Sequence, residues 1–163
     1  MSTLRQRLVL VPVFLLALGA GAFAATPQDD PSIDALLAAA AAADANAGSL
    51  KISYPQDGTL FPPEIVAPTF LWEDKATNVD RWHVLVRFET GEEVLRFSVE
   101  APRWRPSEQD WKRIKKGSSE RDAEVLVMGV ERAAPAHVLS SARVRIRTSK
   151  DAVGDSLFYR EVP

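Results

Sequence analysis

The chain has 163 residues, of which 46% are hydrophobic and 26% charged, with a formal net charge of −2. That length and mix suit one globular domain with extensions and exclude a chain disordered throughout. The absence of cysteine excludes disulfides, c-type haem attachment, thiolate metal sites, cysteine nucleophiles and a lipoprotein anchor on an N-terminal cysteine.

Residues 1–24 begin with Arg5 and Arg7, continue through the apolar run Leu8 to Ala20 and end in Ala22-Phe23-Ala24. These are the three parts of a secretory signal peptide with a small-x-small cleavage site. The alternative, a retained membrane anchor, needs about 20 apolar residues, and this run is shorter. Gln6 separates the two arginines, which favours the general secretory route over the twin-arginine one. The expected location is therefore exported, in the periplasm or outside the cell. Removing Arg5 and Arg7 with this segment leaves 18 basic against 22 acidic side chains, a net charge of −4 carried by Asp29, Asp30, Asp34 and Asp44. From Ser49 onward the charges balance, so the broad electropositive footprint of a nucleic-acid-binding domain is missing.

Residues 25–48 are rich in Ala and Asp and read as a spacer with a helical pattern. Asp30 is placed to cap a helix with Pro31 at its first position, Ile33, Leu36, Leu37, Ala40 and Ala41 fall on one stripe, and Gly48 would end it. Because the stripe is mostly alanine, docking it would bury little area per residue; a partner-binding helix is the sharper alternative.

Residues 49–163 read as one β-sandwich domain. Leu50, Ile52 and Tyr54 alternate with Lys51 and Ser53, and Pro55-Gln56-Asp57-Gly58 supplies a turn. Phe61-Pro62-Pro63 and Ala67-Pro68 are expected to be extended and unpaired, since proline cannot donate to a ladder. Phe70 and Trp72 lie two apart and share one face of the next strand. Trp82, Val84, Val86 and Phe88 then alternate with His83, Leu85, Arg87 and Glu89, the clearest strand pattern in the chain. Phe70, Trp72, Trp82, Val84, Val86 and Phe88 form the expected core.

Thr90-Gly91-Glu92 makes a short hairpin loop, and Leu95, Phe97 and Val99 face inward on the return. Ser107 begins a short helix, with Asp110 three residues on as in a capping box, Trp111 and Ile114 on its buried side and Gly117 at its end. The almost continuous apolar run Glu124 to Val130 implies burial on both faces, with Gly129 marking a bulge. Val144, Ile146 and Thr148 alternate with Arg143, Arg145 and Arg147, and Leu157 to Arg160 forms a last extended piece. Strands near residues 50, 68, 82, 93, 124, 142 and 157 make about seven, which points to an all-β, antiparallel immunoglobulin-like or fibronectin type III-like sandwich with one short helix.

Two surfaces are candidates for binding. Arg143, Arg145 and Arg147 could grip a polyanion, or form a solvated face paired with acids on a neighbouring strand. Trp104 and Trp111 could form a sugar-binding platform, or pack a helix against the sandwich edge. Lys112, Arg113, Lys115 and Lys116 read as the outward face of that helix. His83 and His137 sit in no ligand spacing, and the acids around Asp57 and Asp151 are too sparse for a calcium loop, so no metal or cofactor is expected. Glu73-Asp74 and Glu92-Glu93 lie beside polar loops, and no nucleophile elbow or phosphate-cradling glycine motif is present. The domain therefore reads as non-catalytic.

The segments Pro55-Gln56-Asp57-Gly58-Thr59-Leu60-Phe61-Pro62-Pro63-Glu64, Ala67-Pro68-Thr69-Phe70-Leu71-Trp72 and Thr148 to Pro163 together resemble the N-terminal region of large exported bacterial proteins. In that family an immunoglobulin-like module precedes a TolB-type β-propeller, often with a CxxCH haem-attachment motif nearby. The resemblance spans roughly Tyr54 to Pro163 and implies an accessory module whose partner is a downstream propeller domain. No haem role carries over, because the chain has no cysteine. The family would continue beyond Pro163, so the resemblance implies an N-terminal fragment of a larger protein, with Phe158 and Tyr159 packing against the next domain. The alternative is a stand-alone secreted glycan- or surface-binding sandwich that uses Trp104, Trp111 and the arginine stripe.

Overall fold

A computed structural model describes residues 31–43, 49–91 and 93–151; the signal segment, Glu92 and the strand expected near residue 157 lie outside the described residues. Among the described residues the chain forms eight strands: β1 (Leu50–Tyr54), β2 (Thr59–Phe61), β3 (Phe70–Asp74), β4 (Arg81–Phe88), β5 (Val94–Val99), β6 (Arg103–Trp104), β7 (Ala123–Glu131) and β8 (Ala134–Thr148). Two helices accompany them, α1 (Ile33–Ala43) before β1 and α2 (Glu108–Gly117) between β6 and β7. The strands form a three-stranded sheet in the order β1-β3-β6 and a five-stranded sheet in the order β2-β8-β7-β4-β5. The fold is thus all-β and sandwich-like.

The inner faces meet through the expected aromatic and aliphatic set. Phe70, Trp72 and Trp104 from the three-stranded sheet join Trp82, Val84, Val86, Phe88, Val125, Val127, Val144 and Ile146 from the five-stranded sheet in one buried cluster. Trp72 meets Trp82 edge to face, with ring centroids 6.2 Å apart, and Trp104 packs on Phe70 and Phe97. Helix α2 closes one end. The Ser107 hydroxyl accepts the Asp110 N–H at 3.1 Å and donates to Asp110 Oδ2 at 2.6 Å, which satisfies one of the donors left free at a helix start. Trp111 and Ile114 are its buried residues, and Trp111 meets Phe61 edge to face at 5.4 Å.

Four expectations change. A register shift between Ile52 and Tyr54 breaks the β1 alternation, so Tyr54 pairs with Leu71 and turns outward instead of inward. Phe61 is paired: β2 runs parallel to β8, Thr59 opposite Ile146 and Phe61 opposite Thr148, and the Phe61 carbonyl accepts the Ser149 N–H at 2.9 Å. Proline at 62 and 63 stops this ladder without preventing it. Among the described residues the named strands therefore pair antiparallel everywhere but at this edge, where β2 and β8 run parallel and an isolated parallel bridge joins Ser119 to Thr148. Finally, His83 and Leu85, expected on a polar outer face, are both fully buried.

The cover over Leu85 is α1. Ser32 caps it, accepting the Ala35 N–H on its hydroxyl at 3.1 Å and the Leu36 N–H on its carbonyl at 3.0 Å; Asp30 and Gly48, the expected ends, lie outside the described residues. Leu36 and Ala40 pack on Leu85, Leu126, Met128, Val130 and Val138, forming a second cluster on the outside of the five-stranded sheet. Burial of Leu36 is worth about 1.5–3 kcal/mol and the Ala40 methyl about 0.8 kcal/mol. Fixing a residue's backbone costs about 1–2 kcal/mol, and a helix shorter than about 12 residues is marginal alone. Helicity and docking of α1 therefore depend on each other.

Strand β7 is central, between β4 and β8, and buried on both faces. The β7–β8 register shifts between Gly129, opposite Ser140, and Val130, opposite Val138, so the extra residue is Leu139 and the bulge lies on β8, across from the glycine expected to mark it. Gly129 also faces Asp74, whose Oδ2 accepts hydrogen bonds from Trp82 Nε1 at 3.0 Å and the Ser140 hydroxyl at 2.5 Å. Asp74 thereby ties the end of the three-stranded sheet to β4 and β8 of the other.

Candidate interaction surface

The arginine stripe is built into the sheet's own charge ladder. Arg145 makes a two-point contact with Asp57, Nε to Oδ1 at 3.1 Å and the terminal guanidinium nitrogen to Oδ2 at 2.6 Å, while its backbone N–H donates to the same carboxylate at 2.8 Å. Arg147 donates twice to Asp122 Oδ1, at 3.0 and 2.8 Å. Glu124 on β7 accepts from Arg87 at 2.6 Å and lies 4.0 Å from Arg143. Cross-strand pairing of opposite charges is the stabilising arrangement on an exposed sheet face. It leaves the three arginines neutralised by Asp57, Asp122 and Glu124.

The Arg145 clamp has a measurable signature. Hydrogen bonds from its side chain and backbone hold the Asp57 carboxyl below the usual aspartate range, at about 2. A lowered folded-state pKa stabilises above the unfolded value and loses that contribution as pH falls through the folded one. The wild-type melting temperature should therefore fall more steeply between about pH 4 and pH 2 than that of Asp57→Asn. Because Asp57 is exposed, the difference should shrink in salt. Equal slopes for the two proteins in thermal melts at low ionic strength would count against the clamp.

Trp104 and Trp111 do not form a platform. Both are buried: Trp104 lies between Phe70 and Phe97, and Trp111 donates its indole N–H to the Ile65 carbonyl at 3.0 Å. Their faces are committed to the core, so a sugar ring has nothing to stack on there. On α2, Arg113 pairs with Glu93 and lies 3.7 Å from Asp110, while Lys115 Nζ donates to the Pro63 carbonyl at 2.5 Å. Half of that basic cluster thus anchors the helix to its surroundings.

His83 is buried on β4, with Nδ1 3.4 Å from the Ser98 hydroxyl, whereas His137 is exposed on β8. Glu73 and Asp74 point to opposite faces, as neighbours on a strand must: Glu73 is exposed and Asp74 turns between the sheets. Among the described residues no group of three or more His, Asp or Glu side chains could hold a metal ion. Among the same residues no helix is long and apolar enough to cross a membrane.

The outer face of the three-stranded sheet holds what sequence reasoning missed. Leu71 lies between Tyr54 on β1 and Arg103 on β6 in one cross-strand row, and Lys51 pairs with Glu73 in the next row. Tyr54 and Leu71 are each 42% exposed, so an aromatic and an aliphatic side chain stand together in solvent within a charged rim. Leu71 carried a signal: it is the apolar residue between two inward aromatics, at a position where alternation calls for a polar one. Tyr54 carried none, because a bulge turned it. No protein-family model matches the chain, and no curated protein matches it significantly by sequence.

Proposed function

We propose that this domain is an immunoglobulin- or fibronectin type III-like accessory module of an exported bacterial envelope protein. It is non-catalytic, binds no cofactor and recognises a protein surface. Three features support the fold assignment: the order β1-β3-β6 matches strands A-B-E of such sandwiches, β8-β7-β4-β5 matches G-F-C-C′, and the chain after β1 changes sheets to run beside the last strand. The segment Met1 to Ala24, read as a signal peptide, supports export. The resemblance carried by Pro55 to Glu64 and Ala67 to Trp72 supports a role beside a TolB-type propeller domain, which is the proposed partner.

The observation that carries the interaction role is the Tyr54–Leu71–Arg103 row. Interfaces are enriched in aromatic residues and arginine at their centres with polar side chains at the rim, and this face has both, with Lys51 and Glu73 alongside. Analytical ultracentrifugation of the mature chain with a TolB-type propeller domain tests the reading. A complex is expected, and Leu71→Asp should weaken it by at least about tenfold without lowering the melting temperature. No association, or association indifferent to Leu71→Asp, would overturn it.

A further inference from the structure

The side chains beneath α1 form a continuous apolar face across three strands: Leu85 on β4, Leu126, Met128 and Val130 on β7, and Val138 on β8. None of these strands relies on α1 for pairing. Strand β4 lies between β7 and β5, β7 between β4 and β8, and β8 between β7 and β2. The helix adds no ladder, and its hold is small: Leu36 and Ala40 are its buried residues, with Ile33, Leu37 and Ala39 partly covered. Arg96 on β5 adds one tie ahead of the helix, donating to the Pro31 carbonyl at 2.5 Å. From α1 the chain passes through residues 44–48 to β1, which belongs to the opposite sheet.

We infer that α1 is a detachable latch, and that the face beneath it accepts the same helix from a second copy of this chain, giving a helix-exchanged dimer. When α1 lifts, five apolar side chains meet water together, and a face of that kind seeks a cover. The helix already shown to match it, with Leu36 and Ala40 four apart on one side, is α1 itself. A second copy therefore brings an occupant of established fit. Residues 44–48 can span only about 20 Å, which keeps two exchanging copies close. The exchange then closes as a two-fold pair and does not extend into an open chain.

Hydrogen exchange on the unmodified mature chain tests the latch. Amides of residues 36–43 should exchange at least about 100-fold faster than those of residues 125–130 at the centre of β7, as expected for an element that opens without the rest. Equal protection would make α1 part of the single cooperative unit and overturn the proposal. The receptor half is tested by mixing two isotopically distinct samples at high concentration and reading native mass spectra for mixed dimers. In parallel, the Leu36→Asp chain, whose own helix can no longer dock, should bind a labelled peptide of residues 31–43 at least about tenfold more tightly than wild type does. Mixed dimers are expected from wild type and are expected to be lost when both isotopically distinct samples carry Leu36→Asp. A strictly monomeric wild type, or dimers that survive Leu36→Asp unchanged, would overturn the exchange even if that variant's peptide assay failed for want of folding.

Discussion

Trp72→Ala should cost about 3–5 kcal/mol of folding stability, the usual range for emptying a buried Trp site, and lower the melting temperature by roughly 15–30 °C in a domain of this size. Trp72 is 3% exposed and lies between the two sheets against Trp82, so truncation removes both area burial and an edge-to-face contact worth about 0.5–1.5 kcal/mol. Its indole N–H is buried without a hydrogen-bond partner among the described residues. The loss should therefore be one of packing, with no broken hydrogen bond added to it. Trp72→Phe, which keeps most of the ring and removes that N–H, should cost clearly less than Trp72→Ala. Leu71→Ala, one residue away on the outer face, should be near neutral. Thermal or urea unfolding checks all three; an unchanged midpoint for Trp72→Ala would place it outside the cooperative core.

The contrast between residues 71 and 72 shows how far the sequence could be read. Alternation with a period of two assigned Phe70, Trp72, Trp82, Val84, Val86 and Phe88 to one side of their strands, and all six are buried in one cluster. The rule works there because a pleated strand sends successive side chains to opposite faces. It failed at Tyr54, where a register shift resets the parity, and at Leu85, where α1 covers a face that periodicity assigns to solvent. A two-residue strand such as β6 and a three-residue parallel edge such as β2 are too short to show any period. Long-range pairing makes them strands.

The candidate binding residues divide by the same logic. That Arg143, Arg145 and Arg147 share a strand face was legible; that Asp57 arrives from a turn 88 positions away to clamp Arg145 was not, because no local pattern encodes such a meeting. The platform residues Trp104 and Trp111 were legible as a pair of large aromatics, but their burial is decided by Phe70, Phe97 and Phe61. The Tyr54–Leu71 face needed both the bulge and the pairing of β1 with β3 before it existed as a surface. Fold class is a property of local periodicity, whereas each of these sites is a property of register.

Gly129→Ala should destabilise the domain by about 3 kcal/mol, although the substitution adds a single methyl group. A Cβ at this position would fall on the Ser140 hydroxyl and come within 2.5 Å of Asp74 Oδ2 and 2.9 Å of Val79 Cγ1. Overpacking of this kind costs about 1–3 kcal/mol. Displacing Asp74 adds to it, since the carboxylate holds Trp82 Nε1, the Ser140 hydroxyl and, through Oδ1, the Ala76 N–H at 3.0 Å. A buried indole N–H left without its acceptor costs about 1–3 kcal/mol more. If this crowding is the cause, Ser140→Ala should soften it by removing the oxygen that the new methyl meets. The double variant should then be more stable than the sum of the two single losses implies, by about 1 kcal/mol or more. Strict additivity in denaturant melts would trace the cost to the contact with Val79 alone, which is indifferent to the Ser140 side chain. Coupling would instead identify Gly129 as the space that lets Asp74 join the two sheets.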